Sequence, residues 1–158
     1  MIVVSMALFS IATLTAVSAR AADATTGVSS PPTPARHEEH AMQINMDIEG
    51  TTITATLENS AAARDFASLL PLTLTLNDYA ATEKISDLPR RLSTIGAPAA
   101  MTPKVGDVTY YAPWGNLAIF HKGFRYSEGL VKLGTLDTGI EIMLQSGPLK
   151  VTISKAAQ

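Results

Sequence analysis

Apolar and polar residues alternate in short runs along most of the chain after residue 41. Met42, Ile44, Met46 and Ile48 face one way and Gln43, Asn45, Asp47 and Glu49 the other, which predicts a half-buried strand. Glu49-Gly50-Thr51 predicts a tight turn. Residues 52–57 then return with Ile53, Ala55 and Leu57 inward, completing a hairpin. The period changes next. Ala63, Phe66, Ala67 and Leu70 recur at helical spacing, Asn59 or Ser60 offers a capping oxygen to the first-turn N–H groups, and Pro71 ends the helix after Leu70. Residues 72–76 alternate again, with Leu72, Leu74 and Leu76 set against Thr73 and Thr75.

Residues 77–103 break the pattern. They hold Pro89, Pro98 and Pro103 and the charged cluster Glu83, Lys84, Asp87, Arg90 and Arg91. They read as a long loop over one end of the fold, with a short helical turn at 86–92; loops of this length in compact domains are usually functional. A central hairpin follows: strand 107–112, the turn Pro113-Trp114-Gly115-Asn116, and strand 117–121. Val108 and Tyr110 share one face and Thr109 and Tyr111 the other. Residues 131–136, the turn Asp137-Thr138-Gly139 and residues 140–144 predict one more hairpin. Residues 149–154 predict a closing strand with Leu149, Val151 and Ile153 inward. About eight short strands and one clear helix, punctuated by turn residues, predict a mainly β fold: a small closed barrel, which removes exposed sheet edges.

Composition changes this picture at the N-terminus. Residues 1–19 are mostly apolar and uncharged, and Ala19-Arg20-Ala21 is a small-x-small pattern suited to signal peptidase. Residues 1–22 are therefore expected to be a signal peptide, giving an exported, periplasmic or secreted protein with no stable membrane insertion. The alternative is an uncleaved anchor formed by residues 1–19, since about 18 apolar residues can cross a bilayer. Residues 23–41 are rich in Thr, Ser, Pro and Ala and read as a disordered linker, leaving 42–158 as the folded domain. His37-Glu38-Glu39-His40 lies in that linker. Its histidines are three apart, not in the His-Glu-x-x-His spacing of a zinc helix, so a solvated spacer is expected.

The 158-residue chain has a formal net charge of -2 and no cysteine. The charge argues against nucleic acid as a partner. Without cysteine there is no thiol catalysis and no thiolate metal site. Gly-rich phosphate loops and a Gly-x-Ser-x-Gly nucleophile elbow are also missing from the sequence. No metal and no cofactor is expected.

Several spaced motifs carry a family resemblance. They are Leu69-Leu70-Pro71-Leu72, Glu83-Lys84 with Leu88-Pro89, Gly106-Asp107 with Tyr110-Tyr111 and Pro113, Gly115 to Phe120, and Gly129-Leu130 with Leu133-Gly134. In this order they resemble the bacterial cyclophilin-like domain family over roughly residues 42–155. The resemblance implies a cyclophilin-type barrel with helices closing its ends. It does not extend to the active isomerases, which use an Arg on an early strand in a Phe-His-Arg context. Here the early strands carry no Arg: Arg64 falls on the helix, Arg90 and Arg91 in the long loop, and Arg125 after the central hairpin.

The candidate groove gathers Tyr110, Tyr111, Trp114, Phe120, Glu83, Lys84, His121 and Arg125. The aromatic residues suit a peptide or small apolar ligand, although one face of the hairpin must be core. Trp114 in its turn reads either as an exposed anchor or as a lid folded over a barrel end. Glu83 and Lys84 read as an acid/base pair at the rim, or as a structural contact that pins the long loop. His121 would need a positioned partner to act as a base, and Arg125 has the fork geometry for a carboxylate or phosphate. The expectation is a non-enzymatic module that binds a peptide or small molecule. The alternatives are a divergent peptidyl-prolyl isomerase and a structural or accessory protein-interaction domain.

Overall fold

The computed structural model describes residues 41–157. The signal-peptide and linker readings, and the His37–His40 cluster, fall outside these residues. The chain order is β1 (Met42–Ile48), β2 (Thr51–Leu57), α1 (Ala61–Ala67), β3 (Leu72–Tyr79), β4 (Glu83–Asp87), β5 (Ala100–Met101), β6 (Asp107–Tyr111), β7 (Asn116–Phe120), β8 (Ser127–Glu128), β9 (Leu130–Leu136), α2 (Ile140–Met143) and β10 (Leu149–Lys155). Eight strands close an antiparallel barrel in the order β1-β10-β3-β4-β7-β6-β9-β2, and β5 and β8 form a separate two-stranded ribbon.

The alternating residues of β1 and β2 point inward as the sequence requires. Ile44, Met46, Ile48, Ile53, Ala55 and Leu57 are all buried in one core with Val151 and Ile153 of β10. Ser60 caps α1, its hydroxyl accepting from the Ala63 N–H at 3.1 Å. The helix packs against β9 and buries Phe66 completely, a burial that contributes about 1.5–3 kcal/mol.

Two expected elements are corrected. Residues 140–144 are not a strand; they carry α2, and Met143 is fully buried in the core. Both edges of β9 are already paired, with β6 and with β2, so a hairpin partner has nowhere to bond. Residues 86–92 form no helical turn either. The 77–103 stretch instead opens with a hairpin, β3 running on to Tyr79 and β4 returning between β3 and β7. Its turn places Ala80 and Ala81 at positive φ. The usual Gly or Asn signal for that conformation is missing. The rest of the loop docks on the barrel. Arg90 pairs with Asp65 of α1 at 2.6 Å, the Ser93 N–H donates to Asp65 at 2.7 Å, and Leu92 is buried.

Candidate functional site

β7 is the strand that positions the site. All five of its residues are buried, so it is covered on both faces. Leu117 and Ile119 point into the barrel core. Ala118 and Phe120 point outward into a second cluster with Leu130, against which Ile85, Met101, Tyr111 and Phe124 pack. The cover over this outer face is the segment around β8. It is fastened through the β5–β8 ribbon and through Gly129, whose N–H donates to Ala99 O at 2.8 Å and whose carbonyl accepts from the Ala112 N–H at 2.9 Å. Gly129 has φ +74, and a Cβ there would meet the Pro113 ring at 2.7 Å. Glycine is what lets the segment approach the hairpin turn so closely.

Between this cover and the outer sheet face lies a pocket of about 360 Å³, the scale of a small-molecule site. The sheet supplies Tyr111, Ala118 and Phe120, the hairpin turn supplies Trp114, and the cover supplies Phe124, Arg125 and Glu128. Trp114 is 56% exposed. It stands edge-on to Tyr79 and to Tyr111, with ring centroids 5.5 and 5.4 Å away. The long loop fixes its turn: the Arg91 guanidinium donates to the Ala112 carbonyl at 2.5 Å and to the Pro113 carbonyl at 3.2 Å. Arg125 is exposed, and its guanidinium lies 5.1 Å over the Phe124 ring, which in turn stacks on Phe120.

Two polar groups inside the pocket are unusual. The Asn116 side chain belongs to a residue only 2% exposed, and its amide oxygen accepts no hydrogen bond. Buried polar atoms normally have a partner. Glu83 is half-buried between its cross-strand neighbours Tyr79 and Phe120, and among the described residues no cation or donor pairs with its carboxylate. Burial pushes that carboxyl up to about 7, because removal from water penalises the charged form.

The structure separates the expected site residues. Tyr111, Trp114, Phe120, Glu83 and Arg125 line the pocket together. Tyr110 does not: it is 1% exposed in the barrel core, its hydroxyl accepting from the Leu92 N–H at 3.2 Å. Lys84 does not either. Consecutive strand residues point to opposite faces, so Glu83 and Lys84 are no acid/base pair. The Lys84 ammonium is fully buried at the barrel end and donates to Gln145 O at 2.6 Å and Gly147 O at 2.7 Å. It also pairs with Asp78 at 2.5 Å. Asp78 is held below the usual carboxylate range by that Lys84 contact and by the Gly147 N–H. His121 sits at the end of β7 beside this Asp78 cluster and is not among the pocket residues. Sequence reasoning missed Asn116 and Tyr79, and Phe124 and Glu128 beside the expected Arg125 in the cover. The signal for a strand covered on both faces was available in Leu117-Ala118-Ile119-Phe120, an unbroken apolar run.

The chain is thus a closed eight-stranded antiparallel β-barrel with a pocket built on its outer face. The sequence pattern of the cyclophilin-like family matches residues 46–154, and the chain belongs to that family. Its fold is similar to the solution structure of the hypothetical protein AF2241 from Archaeoglobus fulgidus. The TM-score is 0.57 at 15% sequence identity, over 73% of this chain and 95% of that one. No curated protein matches the chain.

Proposed function

We propose that this domain is a binding module that holds a small molecule, or one side chain of a peptide, in the pocket between β7 and the segment around β8, without chemistry of its own. The observation that carries this reading is the pocket itself: a cavity of about 360 Å³ walled by aromatic rings, lined by the half-buried Glu83 carboxylate, which has no partner among the described residues. A ligand N–H or O–H there would satisfy it. The test is an NMR titration with small aromatic and aliphatic fragments, following the Trp114 indole and Asn116 side-chain amide signals. Fragments that shift both support the reading. Fragments that bind only elsewhere, or not at all, overturn it.

A second reading, a divergent peptidyl-prolyl isomerase, draws on Arg125, a cation beside the apolar Phe120–Phe124 wall. Rotation about the prolyl bond is eased by a donor near the amide nitrogen. Exchange spectroscopy on a proline peptide decides it. Faster cis–trans exchange that is lost in Arg125→Ala favours catalysis, and unchanged exchange favours plain binding. Export belongs to the same proposal and rests on the pattern of residues 1–22. N-terminal sequencing of the protein recovered from its native cells tests it.

A further inference from the structure

Resting on the pocket reading above, we propose that the ligand is an organic ammonium ion, seated against Trp114, Tyr111 and Tyr79, with Glu83 as counter-ion. Three observations converge on this chemistry.

The first is the aromatic corner. Trp114 meets Tyr79 at an interplanar angle of 88° and Tyr111 at 78°. Rings set at right angles offer π faces along more than one direction, and Trp and Tyr are the rings that attract cations most strongly. The second is Glu83. A half-buried carboxylate without a partner is destabilised by its own site, and a cation that shares the desolvated pocket removes that penalty. The third is the balance of charge. Glu83 and Glu128 line the pocket against one cation, Arg125, whose exposed guanidinium lies over the Phe124 ring. The carboxylates outnumber it, so an anion is the poorer fit. A metal ion is a poorer match, because the described residues contain no group of three or more His, Cys, Asp or Glu that would hold one.

The test uses three probes of nearly equal size: benzylammonium, benzyl alcohol and benzoate. Binding to the whole chain is read from the emission of Trp114, the one tryptophan in the sequence, and from the Asn116 side-chain amide signals. At pH 8 benzylammonium should bind at least tenfold more tightly than benzyl alcohol, and benzoate more weakly than either. That advantage should shrink toward equality by pH 5 as Glu83 takes up a proton. The other groups facing Glu83 or sharing its pocket are Tyr79, Tyr111, Arg125, Tyr126 and Glu128. Of these, the charged Arg125 and Glu128 are exposed. Glu83→Gln should abolish the preference for the ammonium ion while leaving benzyl alcohol binding within about twofold. If Glu83→Gln fails to fold, the wild-type pH profile still decides. Equal binding of the alcohol at pH 8, or tighter binding of benzoate, overturns the cation inference and leaves the pocket reading standing. No response to any of the three probes overturns both.

Discussion

Glu83 and Lys84 are neighbours on one strand and live in opposite worlds. Lys84 enters the barrel end, loses all contact with water, and gains two carbonyls and the Asp78 carboxylate. Glu83 enters the outer pocket, stays half-buried, and gains no partner among the described residues. A buried charge is expensive unless its donors and acceptors are matched. On the barrel side the matching is complete within the protein, so that charge belongs to the fold: it ties β4 to the 145–147 turn. On the pocket side the matching is left open. Asn116 repeats the pattern, a buried polar atom without a partner, and it lines the same cavity. The contrast teaches where this domain matches its buried polar groups and where it leaves them unmatched.

The harshest way to break the contrast is Lys84→Met. It keeps the bulk of the side chain but strands two carbonyls and a carboxylate. Loss of hydrogen bonds from a buried cation should lower stability by about 2–4 kcal/mol, seen as a shift in the urea midpoint with an unchanged slope. The adjacent change, Glu83→Gln, should act with the opposite sign. Burial raises the folded-state carboxyl to about 7 from its ordinary 4.5, so the folded protein binds this proton more tightly than the unfolded chain. The resulting penalty is absent below about pH 4, grows as pH rises from 4.5 to 7, and persists above. Glutamine removes it. At pH 8 the variant should be more stable by roughly 1–2 kcal/mol, discounted for partial exposure, and at pH 4 it should match the wild type. Equal stability at both pH values would show that the Glu83 carboxylate is well solvated.

This contrast also marks how far the sequence could be read. The first hairpin, the Ser60-capped helix and the closing strand were legible because apolar residues at period 2 or 3.6 filled their inner faces. β4 was not legible because Lys84 holds an inward position where the pattern needs an apolar residue, and its turn runs through Ala80 and Ala81 at positive φ without glycine. α2 was misread as a strand because the alternation at 140–142 fits period 2, and only the pairing of both β9 edges excludes it. In the site, the aromatic residues of the hairpin were visible, but which of Tyr110 and Tyr111 faces outward depends on the barrel's closure. The importance of Asn116 lies in a missing hydrogen bond, which no residue pattern records.

Between these extremes lies Asp65, partly exposed and well partnered. The Arg90 guanidinium, then the Ser93 N–H, hold its carboxyl down at about 2 from 3.8. A depressed carboxyl contributes stability that is present above about pH 4 and lost as pH falls toward 2. Asp65→Asn should therefore cost about 1 kcal/mol at neutral pH and flatten the acid limb of the stability profile between pH 4 and pH 2. Thermal melts across that range check both. The loop that carries Arg91 should also loosen, broadening the amide signals of the turn at 112–115.

The smallest expected effect on stability belongs to Trp114→Ala, and it sharpens the comparison most. Trp114 is large and aromatic, yet it is more than half exposed and touches the fold mainly through edge contacts with Tyr79 and Tyr111. Such ring pairs are worth about 0.5–1.5 kcal/mol when well packed, and exposure reduces that, so the variant should lose less than about 1 kcal/mol in urea. Its turn is held by the Arg91 contacts to the Ala112 and Pro113 carbonyls, which do not involve the indole. If the outer face exists to receive a ligand, the same substitution should weaken fragment binding at least fivefold, read from the Asn116 side-chain signals by NMR because the fluorophore is gone. A variant that loses several kcal/mol would instead make Trp114 a structural lid and move the outer face to the same footing as the barrel side. A variant that keeps both stability and binding would leave the pocket without the wall on which its chemistry depends.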